Sequence, residues 1–128
     1  MPAELDGVLL DFHWDIEKLR RLDLSQTELQ VSDLAWHLRL PFWSDGGRPF
    51  RVTPMQVAVA PHRYPEQYAR TKAADLTYPL DLVERPNGPP TILDGVHRLL
   101  KAHLCGHQAV RVRTLPRARL DAIVATPR

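Results

Sequence analysis

The apolar positions of this chain change period several times, and each change marks an element. AVRVRTL (109–115) alternates cleanly, Val110 and Val112 on one face and Arg111 and Arg113 on the other, which is the period of a strand. Just before it, VHRLLKAHLCG (96–106) places Val96, Leu99, Leu100 and Leu104 on one helical face. It stops at Gly106, a residue suited to the left-handed conformation on which helices often end. YPLDLVERP (78–86) sets Leu80 and Leu82 against Asp81 and Val83 and predicts a strand. The NGPP turn then leads to a second strand at TIL (91–93). Thr53 with Pro54, and Pro65, open two predicted helices over 52–61 and 65–76, since proline suits the first helical position. Nearer the N-terminus, GVLLDFHW (7–14) predicts a short strand, and Asp15 caps an amphipathic helix over 15–22. Leu29–Val31 reads as a strand, Ser32 as the cap of a helical turn burying Leu34, Ala35 and Leu38, and SDGGRPF (44–50) as a loop. Strand, helix and strand in succession predict an α+β fold: a small mixed sheet with packed helices.

With 44% hydrophobic and 25% charged residues in 128, the composition is that of one soluble globular domain, residues 1–128. A net charge of +2 is too small by itself to argue for a nucleic-acid partner. One cysteine, Cys105, excludes an internal disulfide framework. No stretch approaches the roughly 20 apolar residues that span a bilayer, and no basic leader opens the chain, so the expectation is a cytoplasmic protein without a membrane partner.

The candidate chemistry sits where the apolar run TIL meets the helix: Asp94, Gly95, His97 and Arg98 in DGVHR. The first N–H groups of a helix lack intrahelical acceptors, and the helix dipole favours negative charge there. Gly95 lets an oxygen approach the backbone, and His97 and Arg98 on the first turn offer side-chain donors to the same anion, most simply a nucleotide phosphate. A carboxylate repels phosphate, so Asp94 reads as a helix cap, a magnesium ligand or an acid–base group facing a hydroxyl.

The segment YPLDLVERPNGPPTILDGVHRLLKAHLCGHQAVRVRTLPRARLDAI (78–123), with ELQVSDL (28–34), resembles the ParB/sulfiredoxin-like superfamily. The order is similar to that of sulfiredoxins: a Pro-hydrophobic-Asp strand, a hairpin, a strand ending in Gly-Gly-Cys-His-Arg where this chain has DGVHR, a helix and a further strand. The resemblance implies a core over 28–123 behind an N-terminal extension (1–27). It also implies that Gly95, His97 and Arg98 receive the phosphates of ATP or another nucleoside triphosphate. Val96 stands where sulfiredoxins carry their catalytic cysteine, so repair of oxidised peroxiredoxin is not expected. Cys105, more than two helical turns on, is too far away to replace it. The Asp-Gly-x-His-Arg form is closer to the free-serine kinases of that superfamily, which implies a catalytic role for Asp94. Asp81, matching the acid of the Pro-Ile-Asp segment, would be a second carboxylate for magnesium or for base catalysis. The expected activity is ATP-dependent phosphoryl transfer, as a kinase or NTPase, to a small hydroxyl substrate or water.

The alternative is a non-enzymatic ParB-like regulatory module associated with DNA or a partner protein, using Arg111, Arg113, Arg117 and Arg119. No aromatics interleave with these arginines, and a solvated strand face explains them as well. His103, Cys105 and His107 are scattered around a helix end rather than aligned as metal ligands. Gly46 and Gly47 read as a loop tip, Glu84 and Arg85 as exposed hairpin residues, and Trp14, Trp36 and Trp43 as core or rim packing.

Overall fold

The computed structural model describes residues 1–126. Helix α1 (Ile16–Arg21) is followed by strand β1 (Gln26–Gln30), a single-turn α2 (Val31–Leu34) and strands β2 (Trp43–Asp45) and β3 (Arg48–Val52). Then come helices α3 (Pro54–Val59) and α4 (Pro65–Ala73), strands β4 (Leu80–Val83) and β5 (Thr91–Asp94), helix α5 (Val96–Leu104) and strand β6 (Ala109–Leu115). Three 3-10 segments cover Ala3–Leu5, Ala35–Arg39 and Arg117–Ile123.

The main sheet has the order β1-β6-β4-β5, with β1–β6 and β4–β5 antiparallel and β4–β6 parallel. It is a mixed sheet because the chain makes a hairpin from β4 to β5 through residues 84–90 and then needs a helical crossover, α5, to lay β6 parallel to β4. The fold is therefore α+β: this sheet, a separate two-stranded hairpin and packed helices.

Both faces of the sheet are covered. On one, Leu80, Leu82, Ile92 and Val112 pack with Leu99 and Leu100 of α5, all at most 3% exposed. Burying each such side chain contributes about 1.5–3 kcal/mol. On the other, Val83 and Leu115 meet Leu19 of α1 and Ile123, with Trp14 and Leu22 at the margin. The alternation in 78–83 thus separates two interiors rather than a core from solvent, and residues before β1 complete the second one.

Several local expectations hold for the reasons that predicted them. The Asp15 carboxylate accepts from the Glu17 N–H at 2.8 Å and caps α1. Thr53 and Gln56 form a reciprocal capping box at α3, and Pro54 and Pro65 open their helices. Gly106, at φ +76°, ends α5: its N–H donates to the His103 carbonyl at 3.1 Å, and His107 N–H donates to Ala102 at 2.9 Å.

Other expectations are corrected. Residues 7–14 form turns, not a strand, and only Trp14 makes a bridge, to Val124. Leu10 and Trp14 pack against the second core from irregular backbone, with Gly7 at φ +73° turning the chain. β1 starts earlier than the apolar pattern suggests because its five residues are mostly exposed and are placed by pairing with β6, not by burial. Val31 is already helical, and its N–H donates to the Gln108 carbonyl at 2.8 Å, so Ser32 lies inside the turn rather than capping it. Residues 44–50 belong to the β2–β3 hairpin. Gly46 and Gly47, at φ +57° and +79°, supply the two left-handed residues its tight turn needs.

Candidate functional site

The start of α5 opens into a cleft of about 920 Å³ lined by Gly95, His97 and Arg98, by Asp81 and Asp94 from β4 and β5, and by Arg70 of α4. Ala73–Asp75, Tyr78 and Pro79, with Arg20, Gln26 and Arg113, complete its walls. All five residues singled out in the sequence therefore meet in one place.

Their order follows from a shift in the β4–β5 ladder. Leu82 lies opposite Ile92 and Asp81 opposite Asp94, so Leu93 is an extra residue on β5 and the two aspartates become direct cross-strand neighbours. The chain then turns through Gly95 at φ +122°, ψ +18°. A Cβ there would lie 2.9 Å from Leu80 Cγ, so glycine is required both by the dihedral angle and by the space. No side chain caps the helix that follows. Asp94 belongs to the strand and turns its carboxylate to Arg98, accepting from Nη2 at 2.9 Å, which corrects the reading of Asp94 as a helix cap.

Arg98 is a member of the site but not a free cation, because Nη1 also donates to the Pro79 carbonyl. His97 is held on two sides. Its ring stacks on Trp43 with centroids 4.1 Å apart, and Nε2 lies 2.9 Å from Gln67 Oε1. Burial, then the positive charge of Arg70, lower its pKa to about 4, against a smaller opposing effect of Asp94. At neutral pH His97 is therefore an uncharged wall of the cleft, not the cationic donor expected.

Asp81 is buried in the sheet. It accepts from Arg113 Nε at 2.7 Å, and the other guanidinium nitrogens of Arg113 donate to the carbonyls of Leu22 (2.8 Å) and Leu19 (3.1 Å). Arg111 donates to the Thr77 carbonyl at 2.7 Å. On this face of β6 Arg113 is therefore committed to internal bonds, while Arg111 stays exposed, as do Arg117 and Arg119 beyond the strand.

Arg70, absent from the sequence reading, is exposed on α4 and has no carboxylate partner among the described residues. The signal was available: Gln67 and Arg70 are three apart on one predicted helix and so share a face. Tyr78 was missed as well. What no local pattern reveals is that α4 packs beside α5. Cys105 caps the opposite end of α5, and no thiol lines the cleft.

A magnesium ion is implied by the resemblance, and Asp81 and Asp94 are the residues that would hold it. Each already has a guanidinium against it, and no group of three potential ligands comes together among the described residues. This donor set does not fit a resident magnesium ion. What the arrangement offers instead is backbone N–H groups at a bare helix start, one unpaired guanidinium, and a carboxylate bound to an arginine on one side.

In comparison with known proteins, the chain matches no protein-family model, no curated protein and no solved structure. No helix of the described residues is long and apolar enough to cross a membrane.

Proposed function

We propose that the cleft binds the polyphosphate of a nucleoside triphosphate, with phosphate oxygens on the N–H groups that open α5 and with Arg70 and Arg98 balancing their charge. One observation carries this reading: the uncapped, glycine-preceded start of a nine-residue helix faces a cleft whose wall holds an arginine free of any carboxylate among the described residues. The resemblance of DGVHR and its flanking strands to the ParB/sulfiredoxin-like superfamily supports the same placement.

On this reading Arg98 exchanges Asp94 for a phosphate oxygen, and the released carboxylate stands beside the phosphoryl group as a general base. The reaction class is phosphoryl transfer to a small hydroxyl compound or to water. The acceptor oxygen bonds to the terminal phosphorus as the bond to the nucleoside diphosphate breaks, and the acceptor proton passes to Asp94. The assignment of catalysis rests on Asp94 being both partly exposed in the cleft and adjacent to the helix start.

Titration calorimetry with ATP and with inorganic tripolyphosphate tests the binding. Wild-type protein is expected to bind both, and Arg70→Ala to weaken both by roughly tenfold, the worth of one charge-assisted hydrogen bond. Absence of heat with either compound, or equal affinity in Arg70→Ala, refutes the assignment.

A further inference from the structure

Among the residues lining the cleft, Tyr78 is the only aromatic side chain with an open face. It is 64% exposed, whereas Tyr64 and Tyr68 pack against the core and the His97 ring is already stacked on Trp43. Leaving a tyrosine ring in water forgoes the burial that usually recruits it, so its backbone setting matters.

That setting is fixed from both sides. The Asp75 carboxylate accepts from the Thr77 N–H at 2.9 Å and from Thr77 Oγ1 at 2.7 Å, and Tyr78 N–H donates to the Asp75 carbonyl at 3.3 Å. The Thr77 carbonyl is held by Arg111 and the Pro79 carbonyl by Arg98. Lys101 anchors the start of the segment through the carbonyls of Lys72 (2.8 Å) and Ala74 (2.7 Å). Three cationic side chains thus clamp the turn carrying Tyr78, and one of them, Arg98, is also on the first turn of α5. Tyr78 precedes the residue whose carbonyl Arg98 binds and lines the same cleft as Gly95, His97 and Arg98.

We infer that Tyr78 is the stacking platform for the base of the nucleotide whose phosphates occupy the start of α5. This inference rests on the phosphate reading above and adds the determinant of base preference. A ring face attracts any base through its π surface and favours the larger one, so purine nucleotides bind more tightly than pyrimidine nucleotides. Inorganic tripolyphosphate, which has no base, gains nothing from Tyr78.

Calorimetric titration of the full chain with ATP, GTP, UTP and tripolyphosphate, in wild type, Tyr78→Ala and Tyr78→Phe, tests this. In wild type ATP and GTP are expected to bind more tightly than UTP, and all three more tightly than tripolyphosphate. Tyr78→Ala is expected to weaken ATP roughly five- to a hundredfold, the range for loss of one base–aromatic stack, with tripolyphosphate unchanged and Tyr78→Phe close to wild type. If tripolyphosphate binds but wild type and Tyr78→Ala take ATP equally, the platform is wrong and the phosphate site stands. If Tyr78→Ala weakens tripolyphosphate as much as ATP, Tyr78 only shapes the cleft and the inference also fails. If wild type binds neither tripolyphosphate nor any nucleotide, the phosphate reading falls and this inference with it.

Discussion

Gly95 joins two requirements that elsewhere fall on different residues. Its φ of +122° is open only to glycine without strain, and its α-carbon faces Leu80 so closely that an added methyl group would lie 2.9 Å from Cγ. Gly95→Ala is expected to destabilise the fold by about 2–4 kcal/mol, read as a fall in the midpoint of urea unfolding; an unchanged midpoint would show that strand and helix do not depend on this approach. Asp94→Asn tests a different property of the same junction. It replaces a partly exposed ion pair with a neutral hydrogen bond and is expected to cost about 1 kcal/mol or less. If Asp94 is the base, ADP release in the presence of small hydroxyl acceptors falls by about two to four powers of ten, while nucleotide affinity is kept. Equal release by wild type and Asp94→Asn would remove Asp94 from the chemistry. Of this site, Asp94, Gly95, His97 and Arg98 were legible because a glycine between an apolar run and a helical period marks a backbone approach, whereas Asp81 entered only through the family resemblance. The charge state of His97 was not legible: its neutrality depends on Trp43 of β2 and on Gln67 and Arg70 of α4, two elements far from it in the sequence.

At the scale of elements, β5 is an outer strand of the sheet, and its Ile92 N–H donates to Nε2 of the buried His37 at 3.1 Å, while Nδ1 of that ring lies 2.8 Å from the Leu34 carbonyl. The ring must be neutral to accept from one side and donate to the other. Burial lowers the pKa of His37 to about 4, with Arg85 adding to the shift and the Leu34 bond opposing it. His37 and His97 therefore both stay unprotonated in the fold well below 6.5, while the unfolded chain takes up protons. Their contribution is complete above pH 6.5 and is lost as the pH falls through about 4, on the order of 1–2 kcal/mol each once solvent screening is discounted. The melting temperature followed by circular dichroism is expected to drop steadily from pH 7 to pH 4.5, and less steeply in His37→Gln; a flat profile would contradict the burial argument. His37 also shows why boundaries of elements were harder to read than their existence. Capping boxes, proline at helix starts and Gly106 are local, so α1, α3, α4 and α5 were legible. β1 and the β2–β3 hairpin carry exposed polar residues and exist through pairing, which leaves little periodicity to read.

For the whole molecule, the buried Asp81–Arg113 pair is the fastening between the sheet and the N-terminal segment, since Arg113 spends its remaining donors on the end of α1 and on Leu22. Arg113→Ala leaves a buried carboxylate without its partner and is expected to cost about 3–5 kcal/mol in chemical unfolding. A loss below about 1 kcal/mol would mean that water already screens the pair. The same geometry orders events in time. β4, β5 and α5 are contiguous within 25 residues, Leu80 to Leu104, whereas β1 must wait for β6, its partner some eighty positions along the chain. Loop closure of that length is paid before any pairing repays it, so contacts within 80–104 precede those that seat β1 and α1. During synthesis β1 leaves the ribosome before β6 does and docks late. Pulsed hydrogen exchange during refolding should therefore protect amides of α5 before those of β1, and the glycine turn at the head of α5 takes shape while the opposite wall of the cleft is still unformed.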